Sequence, residues 1–322
     1  MANVLVTGGA GYVGSVCVSE LLRLGHSVTV VDDLSTGFRD AVPCGATFAQ
    51  LDIGDTSAIR ELAAQNKFAA VFHFAAKALI PESVTDPGVF FQRNIASAIN
   101  MLEALRAAGT KNLVFSSSAA VYGTPETAPI DEEAPKQPLN SYGETKLIFE
   151  QVLRWYASAY RWSVFAFRYF SAAGATSELG ERHEPETHLI PILLEVAAGQ
   201  RKCFEIYGGD YSTPDGTCVR DFVHVLDIAN AHILALSKMK QPGMRCYNIG
   251  TGNGYSVRQI HEKVEEITGR KVPVRISGRR PGDPGVLYAS PRRIMEELGW
   301  KPAHSSLQEI LSSAWEWKQR KS

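Results

Sequence analysis

Two hydrophobic periods alternate along the first half of the chain. Asn3-Val4-Leu5-Val6-Thr7 is an apolar run rich in β-branched residues and closed by Gly8-Gly9, the pattern of a strand buried on both faces. Residues 12–24 then place Val13, Val16, Cys17, Leu21 and Leu24 on one helical face. Further strands are expected at Ser27–Val31, Thr47–Leu51, 69–74, Asn112–Ser116 and Ser163–Arg168. Helices are expected at Thr56–Asn66, at 88–108 with a stop at Gly109, and at 142–160. This alternation predicts an α/β fold with a doubly wound parallel sheet and helices on both faces. From about residue 171 the pattern loosens into Gly/Pro-rich loops such as Thr213-Pro214-Asp215-Gly216. It reads as a smaller, mixed α/β lobe over the carboxyl ends of the strands. The expected division is 1–170 and 171–322, with some elements interleaved. Leu307, Ile310, Leu311 and Trp315 predict a docked amphipathic helix over Ser306–Lys318. Trp155 and Trp162 read as packing residues, and His224 as the start of a helix.

Composition narrows the function. A net charge of −1 provides no basic field to recruit nucleic acid or an anionic membrane. No apolar run approaches the roughly 20 residues of a membrane span, and the N-terminus lacks a signal-peptide pattern. Five scattered cysteines form no Cys-x-x-Cys or Cys/His cluster, so reduced thiols of a cytoplasmic protein are expected. The eight histidines read as dispersed, without metal-ligand spacing, so no metal is expected.

The chemistry begins at the first strand-to-helix turn. Gly8, Gly11 and Gly14 suit a tight turn, close approach to a pyrophosphate, and close packing of helix on sheet, as in a Rossmann-type dinucleotide site. The helix N-terminus offers N–H groups and a positive dipole end. Asp32 and Asp33 end the second strand, where a carboxylate accepts from ribose hydroxyls and repels a 2′-phosphate, favouring NAD over NADP. Tyr142 and Lys146 stand four apart on a predicted helix and so share a face. A lysine ammonium beside a phenol is expected to lower the tyrosine pKa and make a usable general base. Ser118, at the end of the preceding strand, can hydrogen-bond the same substrate oxygen.

These motifs resemble the extended short-chain dehydrogenase/reductases and, within them, the UDP-glucose 4-epimerase family over essentially the whole chain. The more specific segments lie late: His188-Leu189-Ile190-Pro191, Asp215-Gly216-Thr217-Cys218-Val219-Arg220-Asp221 and Arg279-Arg280-Pro281-Gly282-Asp283. The resemblance implies cofactor contacts from Gly8, Gly11, Tyr12, Val13, Gly14, Asp32, Asp33, Leu34, Ser35, Thr36 and Gly37. It adds Asp52, Ile53, Phe74, Ala75, Ala76, Ala78 and Phe170. For the substrate it implies Ser118, Tyr142, Ser171, His188, Leu189, Glu205, Ile206, Tyr207, Arg220, Arg280, Asp283 and Leu287. The implied reaction interconverts UDP-galactose and UDP-glucose through a transient 4-keto sugar and bound NADH. Tyr142, Lys146 and Ser118 would be catalytic, the enzyme would be a homodimer, and its partner would be a small-molecule UDP-sugar.

Departures accompany the match. Ser171 stands where the family commonly has Asn, and Arg93-Asn94 replaces an Asn-Asn pair. Leu287 occupies a sugar-pocket position that ranges from bulky to small, so some turnover of UDP-N-acetylhexosamines is expected. Ser118-Ala119-Ala120-Val121-Tyr122 lacks the carboxylate of the related dehydratases and decarboxylases, which argues against both. A UDP-glucuronate 4-epimerase and another NAD-dependent nucleotide-sugar enzyme, including a net dehydrogenase, stay open. So does a cofactor-sensing binding protein, although its sequence would be expected to lack Tyr142 or Lys146.

Overall fold

A computed structural model describes residues 1–280 and 283–321. In chain order the first elements are β1 (Asn3–Thr7), α1 (Tyr12–Arg23), β2 (Ser27–Asp32), β3 (Thr47–Gln50), α2 (Thr56–Asn66) and β4 (Ala70–His73). Next come α3 (Ile80–Thr85), α4 (Pro87–Phe91), α5 (Ser97–Ala107), β5 (Asn112–Ser118), α6 (Ser141–Tyr160) and β6 (Ser163–Tyr169). Then follow β7 (Ser171–Ala173), α7 (Leu189–Ala197), β8 (Phe204–Tyr207), β9 (Val219–Arg220), β10 (Phe222–His224), α8 (Val225–Lys238) and β11 (Gly243–Ile249). The chain ends through β12 (Tyr255–Ser256), α9 (Val257–Thr268), β13 (Val274–Ser277), β14 (Val286–Leu287), α10 (Arg292–Leu298) and α11 (Leu307–Lys321).

Seven strands form one sheet in the order β11-β6-β5-β4-β1-β2-β3. The β3-β2-β1-β4-β5 pairings are parallel. Strand order reverses between β1 and β4, so a crevice opens beyond the carboxyl ends of those two strands. Alternation along the strands divides the two faces. Leu5, Val71, Leu113 and Val164 join α2, α5 and α6 in one core through Ile59, Met101, Leu105, Phe149 and Leu153. Phe72 and Phe167 point the other way and meet His232 of α8. The expected doubly wound sheet is present. The expected 88–108 helix is interrupted, because a π-helical stretch, Gln92–Ala96, separates α4 from α5. That stretch buries Asn94, a polar side chain with partners on two neighbouring elements.

The chain falls into two compact units, each assembled from three segments. The first comprises Met1–Gly123, Lys136–Arg168 and Ala229–Tyr247; the second comprises Thr124–Pro135, Tyr169–Ile228 and Asn248–Ser322. The second unit has three small sheets, β10-β7, β12-β9-β14 and β13-β8. Its core gathers Ile190, Leu193 and Leu194 of α7, Ile260 and Val264 of α9, and Ile310, Leu311 and Trp315 of α11. The last helix is therefore docked by the face its sequence predicted. His224 ends β10 directly before α8, as expected. Trp162 is buried, but Trp155 is 74% exposed, which corrects its reading as a packing residue. It lies on the outer side of α6, away from Phe149 and Leu153, which face the core. No helix among the described residues is long and apolar enough to cross a membrane.

Candidate active site

The turn after β1 is built by steric need at two glycines. Gly8 has φ +75°, and a Cβ there would lie 2.4 Å from the Ala75 nitrogen. A Cβ on Gly14 would lie 2.2 Å from the Gly8 carbonyl oxygen. Gly11 differs: its φ is −84°, and among the described residues a Cβ would meet only the Gly8 oxygen, at 3.4 Å. Nothing in the fold demands glycine at that point. Gly11 is the N-cap of α1 and, as a glycine, contributes no side-chain cap. A helix N-terminus opening at a glycine the fold does not demand fits a pyrophosphate approaching the backbone.

Asp32 closes the other side of the turn. It is 8% exposed and accepts from the Ala10 and Leu34 nitrogens at 3.0 and 2.9 Å. Burial pushes its pKa up, and those two N–H groups oppose the shift. Two hydrogen bonds leave acceptor capacity on the carboxylate for ribose hydroxyls. Leu34 is held at φ +60°, an uncommon left-handed conformation at this loop. Asp33 accepts from the Ser35 nitrogen at 2.9 Å and lies 3.8 Å from Arg93, which also pairs with Asp52. Gly37 packs against Ala10 and Asp32, while Ser35 and Thr36 are exposed. The Phe74 and Ala75 nitrogens both donate to the Thr7 carbonyl, tying β4 to the cradle. Ala76 is half-buried and Ala78 exposed. Asn94 pins the Lys77 backbone between them at 2.8 and 3.0 Å and donates to Thr145 of α6 at 3.0 Å. Ile53 packs its side chain into the core, so any ligand contact there is through its backbone.

Ser118, Tyr142 and Lys146 come together at the carboxyl end of β5. The Asn140 side chain accepts from the Gly143 nitrogen at 2.9 Å and caps α6. A Cβ on Gly143 would lie 2.6 Å from the Ala120 oxygen, so glycine lets α6 start against the turn that carries Ser118. Ser118 stands close enough to the Tyr142 phenol to work against its raised pKa, and its hydroxyl accepts from the Ala120 nitrogen at 3.1 Å. Lys146 is 4% exposed, donates to the Ser116 carbonyl at 2.8 Å, and lies 5.7 Å from the Tyr142 ring centre.

The titration of this pair corrects the expectation of a phenol lowered by its lysine. Burial raises the Tyr142 phenol, and the neighbouring Ser118 hydroxyl works against it. Burial also lowers Lys146 to about 7, opposed by Glu150. Desolvation outweighs attraction because the ammonium is itself buried and committed to a carbonyl. Behind the pair runs a buried network the sequence did not reveal. Glu150 accepts from Ser117 at 2.6 Å and from Arg168 at 2.9 and 2.6 Å, and Arg168 donates to Tyr122 at 2.8 Å. It locks α6 against β5 and β6.

In the second unit, Arg220 pairs with Asp283 and stands in register with Leu287 across β9 and β14. Arg280 stacks over Tyr207 at 3.8 Å, and Tyr207 donates to Glu205 at 2.9 Å. Pro281 and Gly282 of the same expected loop lie outside the described residues. Ile206 buries its side chain, leaving only its backbone for contact. His188 caps α7 and Leu189 begins it. The Phe170 nitrogen donates to Ile249 at 3.1 Å and the Ser171 nitrogen to Asp221 at 2.8 Å. Asp221 is buried, with Thr251, Gly252 and Ala289 nitrogens donating to it, so it organises loops. One further grouping departs from the expectation of dispersed histidines: Glu181, His183, Glu186 and His188 converge. The spacing Glu-x-His-x-x-Glu-x-His could have signalled it.

A switch-point cradle with an acidic second strand, beside a Ser–Tyr–Lys trio, defines a nicotinamide-dinucleotide enzyme of the Rossmann class. Residues 4–250 match the NAD dependent epimerase/dehydratase family. The chain belongs to that family. A UDP-glucose 4-epimerase of Corynebacterium glutamicum is 46% identical over 313 residues, 97% of this chain and 94% of that one. The structure of UDP-glucose 4-epimerase from Brucella ovis in complex with NAD superposes with a TM-score of 0.94 at 45% identity, covering 98% of each chain. One from Stenotrophomonas maltophila, with bound NAD and formylated UDP-arabinopyranose, gives 0.96 at 38% identity, covering 100% and 99%.

Proposed function

We infer that the protein is a UDP-glucose 4-epimerase, an isomerase that interconverts UDP-galactose and UDP-glucose with NAD. The observation that carries this is Tyr142 beside Ser118, with Lys146 5.7 Å from its ring, in a chain 46% identical to a UDP-glucose 4-epimerase over nearly its full length. NAD, when bound, accepts a hydride from the sugar C4 and returns it. The chain handles the proton. Tyr142 takes it from the C4 hydroxyl as the 4-keto sugar forms, and gives it back as the carbonyl is reduced on its other face. No net redox change results, and C4 inverts. Ser118 holds the same oxygen. Lys146, itself lowered to about 7 by burial, stands beside a phenol that burial keeps protonated.

The cofactor is assigned to the first unit. Gly11, Tyr12 and Val13 would meet its pyrophosphate, and Asp32 the adenosine ribose. The nucleotide sugar is assigned to the second unit, with Arg220 and Arg280 as cations for the diphosphate and Asp283 and Glu205 near the nucleoside. Arg220 would exchange Asp283 for phosphate oxygens. Remote anchoring of the diphosphate lets the keto sugar turn without escaping. Leu287 is assigned to the sugar pocket, with room for an N-acetyl group. Undetectable conversion of UDP-GlcNAc at saturation, by enzyme active on UDP-glucose, would reject that assignment. A cytoplasmic location is supported by scattered cysteines and a net charge of −1. A homodimer through α5 and α6 is supported by Trp155 and Tyr160, 74% and 41% exposed, and is testable by light scattering.

The deciding experiment is a coupled assay with UDP-galactose and no added NAD. Wild type should form UDP-glucose, and Tyr142→Phe should lose about 10²–10⁴-fold in kcat while retaining NAD. No conversion by wild type, even with NAD added, would overturn the reading.

A further inference from the structure

The segment leading into α7 carries a constellation of which the epimerase reading uses only His188. Glu181, His183, Glu186 and His188 each present one ligating atom, and all four atoms lie within 4.8 Å of one another. His183 Nδ1 lies 3.5 Å from Glu181 Oε1 and 3.6 Å from Glu186 Oε2. His188 Nδ1 lies 3.1 Å from Glu181 Oε1 and 2.9 Å from Glu186 Oε1. Ligands of one tetrahedral zinc, bound at about 2.0–2.1 Å, sit roughly 3.3–3.4 Å apart. The four distances bracket that edge.

Burial adds a second, independent pointer. The two glutamate side chains are 9% and 7% exposed, and their carboxylates face each other's histidines. His183 Nδ1 is buried with no hydrogen-bond partner, though it points at two carboxylate oxygens. Its separations exceed a good N–H···O bond, which runs 2.7–3.2 Å, roughly. Two close buried carboxylates call for positive charge between them, which His188 supplies as an imidazolium and a divalent ion would supply in its place. The Thr187 and His188 backbone nitrogens each donate to Glu186 Oε1 at 2.8 Å, so the backbone orients that carboxylate.

We propose that Glu181, His183, Glu186 and His188 bind one structural zinc ion. Two imidazoles and two carboxylates are a donor set suited to that borderline divalent metal. Four protein ligands close the site, so the ion stabilises without performing chemistry. It cross-links residues 181–188 and so fixes the N-terminus of α7, where His188 and Leu189 stand.

The test uses tag-free, full-length protein incubated with zinc chloride and passed through gel filtration. Elemental analysis should find about one zinc per chain in wild type and at least tenfold less in His183→Ala and in the isosteric Glu181→Gln. Chelator should lower the wild-type Tm and leave both variants unmoved. X-ray absorption at the zinc edge should show nitrogen and oxygen ligands only. Wild type that retains no zinc and has a chelator-indifferent Tm overturns the proposal. So do variants with wild-type zinc content, or sulfur ligands, which would place the ion on the exposed Cys44 or Cys203. If His183→Ala fails to fold, Glu181→Gln and the wild-type spectrum decide.

Discussion

Replacing Gly11 and Gly14 separately by alanine divides the cradle into a ligand-facing and a fold-facing glycine. At Gly14 the new methyl would sit 2.2 Å from the Gly8 carbonyl oxygen, so α1 must retreat from the turn by more than 1 Å to restore contact distance, roughly. Overpacking of that kind costs about 1–3 kcal/mol or more, against about 1 kcal/mol recovered from better helix propensity. At Gly11 the methyl meets only one atom, at 3.4 Å, and the backbone is already extended. Two opposing terms remain there: loss of a favourable N-cap glycine and reduced freedom of the unfolded chain, each about 0.5–1 kcal/mol. Cofactor-stripped Gly11→Ala should therefore melt within about 2 °C of wild type, whereas Gly14→Ala should melt several degrees lower. Retention of NAD reverses the comparison's meaning, because the Gly11 methyl would occupy the approach of the pyrophosphate. The NAD released per chain on heat denaturation should fall at least tenfold in Gly11→Ala, about 1.4 kcal/mol of binding. A Gly11→Ala protein with wild-type NAD content would refute the assignment of that glycine to the ligand. Strong destabilisation of the stripped Gly11→Ala protein would refute the steric reasoning.

Lys146 titrates near 7 because burial disfavours its ammonium. An unfolded lysine titrates near 10.4, roughly, so between these pH values the unfolded chain binds the proton and the folded one does not. Stability of the stripped wild type should thus rise with pH across that window, and the advantage of Lys146→Met over wild type should shrink by about 3–5 kcal/mol from pH 6 to 10. A pH-independent difference in urea unfolding contradicts this. Glu150→Leu takes the carboxylate away from the buried Arg168 guanidinium and should cost about 3–5 kcal/mol, much of it restored in the double variant with Arg168→Met. Additive losses in denaturant unfolding would show that the pair does not act as a unit. Arg93→Ala breaks ion pairs to Asp52 and Asp33 whose side chains are 42% and 33% exposed. Thermal denaturation of the stripped protein should change by under about 1 kcal/mol, and a larger loss would mean the pairs carry more than surface electrostatics.

Local chemistry made the cradle legible. The run Asn3–Thr7, the glycines after it and the apolar face of α1 lie within one short stretch, so period and turn residues sufficed. The same holds for Tyr142 and Lys146, because four residues on a helix fix a shared face wherever the helix docks. Resemblance in the late loops added Arg220, Asp283 and Leu287, which the structure brings together in the second unit.

Tertiary structure decided what depends on neighbours distant in the chain. β11 pairs beside β6 as the seventh strand of the sheet although it lies within the region read as a separate lobe. A short strand carries no mark of the edge it will occupy. Asp221 looked like part of a binding loop and proves to be a buried acceptor for three backbone N–H groups on two segments. Glu150 and Arg168 meet across 18 residues to lock α6, and Trp155 stays exposed on that same helix. The direction of the Tyr142 shift reversed for the same reason: helical spacing sets who is adjacent, while desolvation depends on everything packed around the pair. Sequence by itself determined the periods, the turn and the residue types of the chemistry. Burial and long-range pairing, which set charge states and the geometry around them, exist only once the chain has closed on itself.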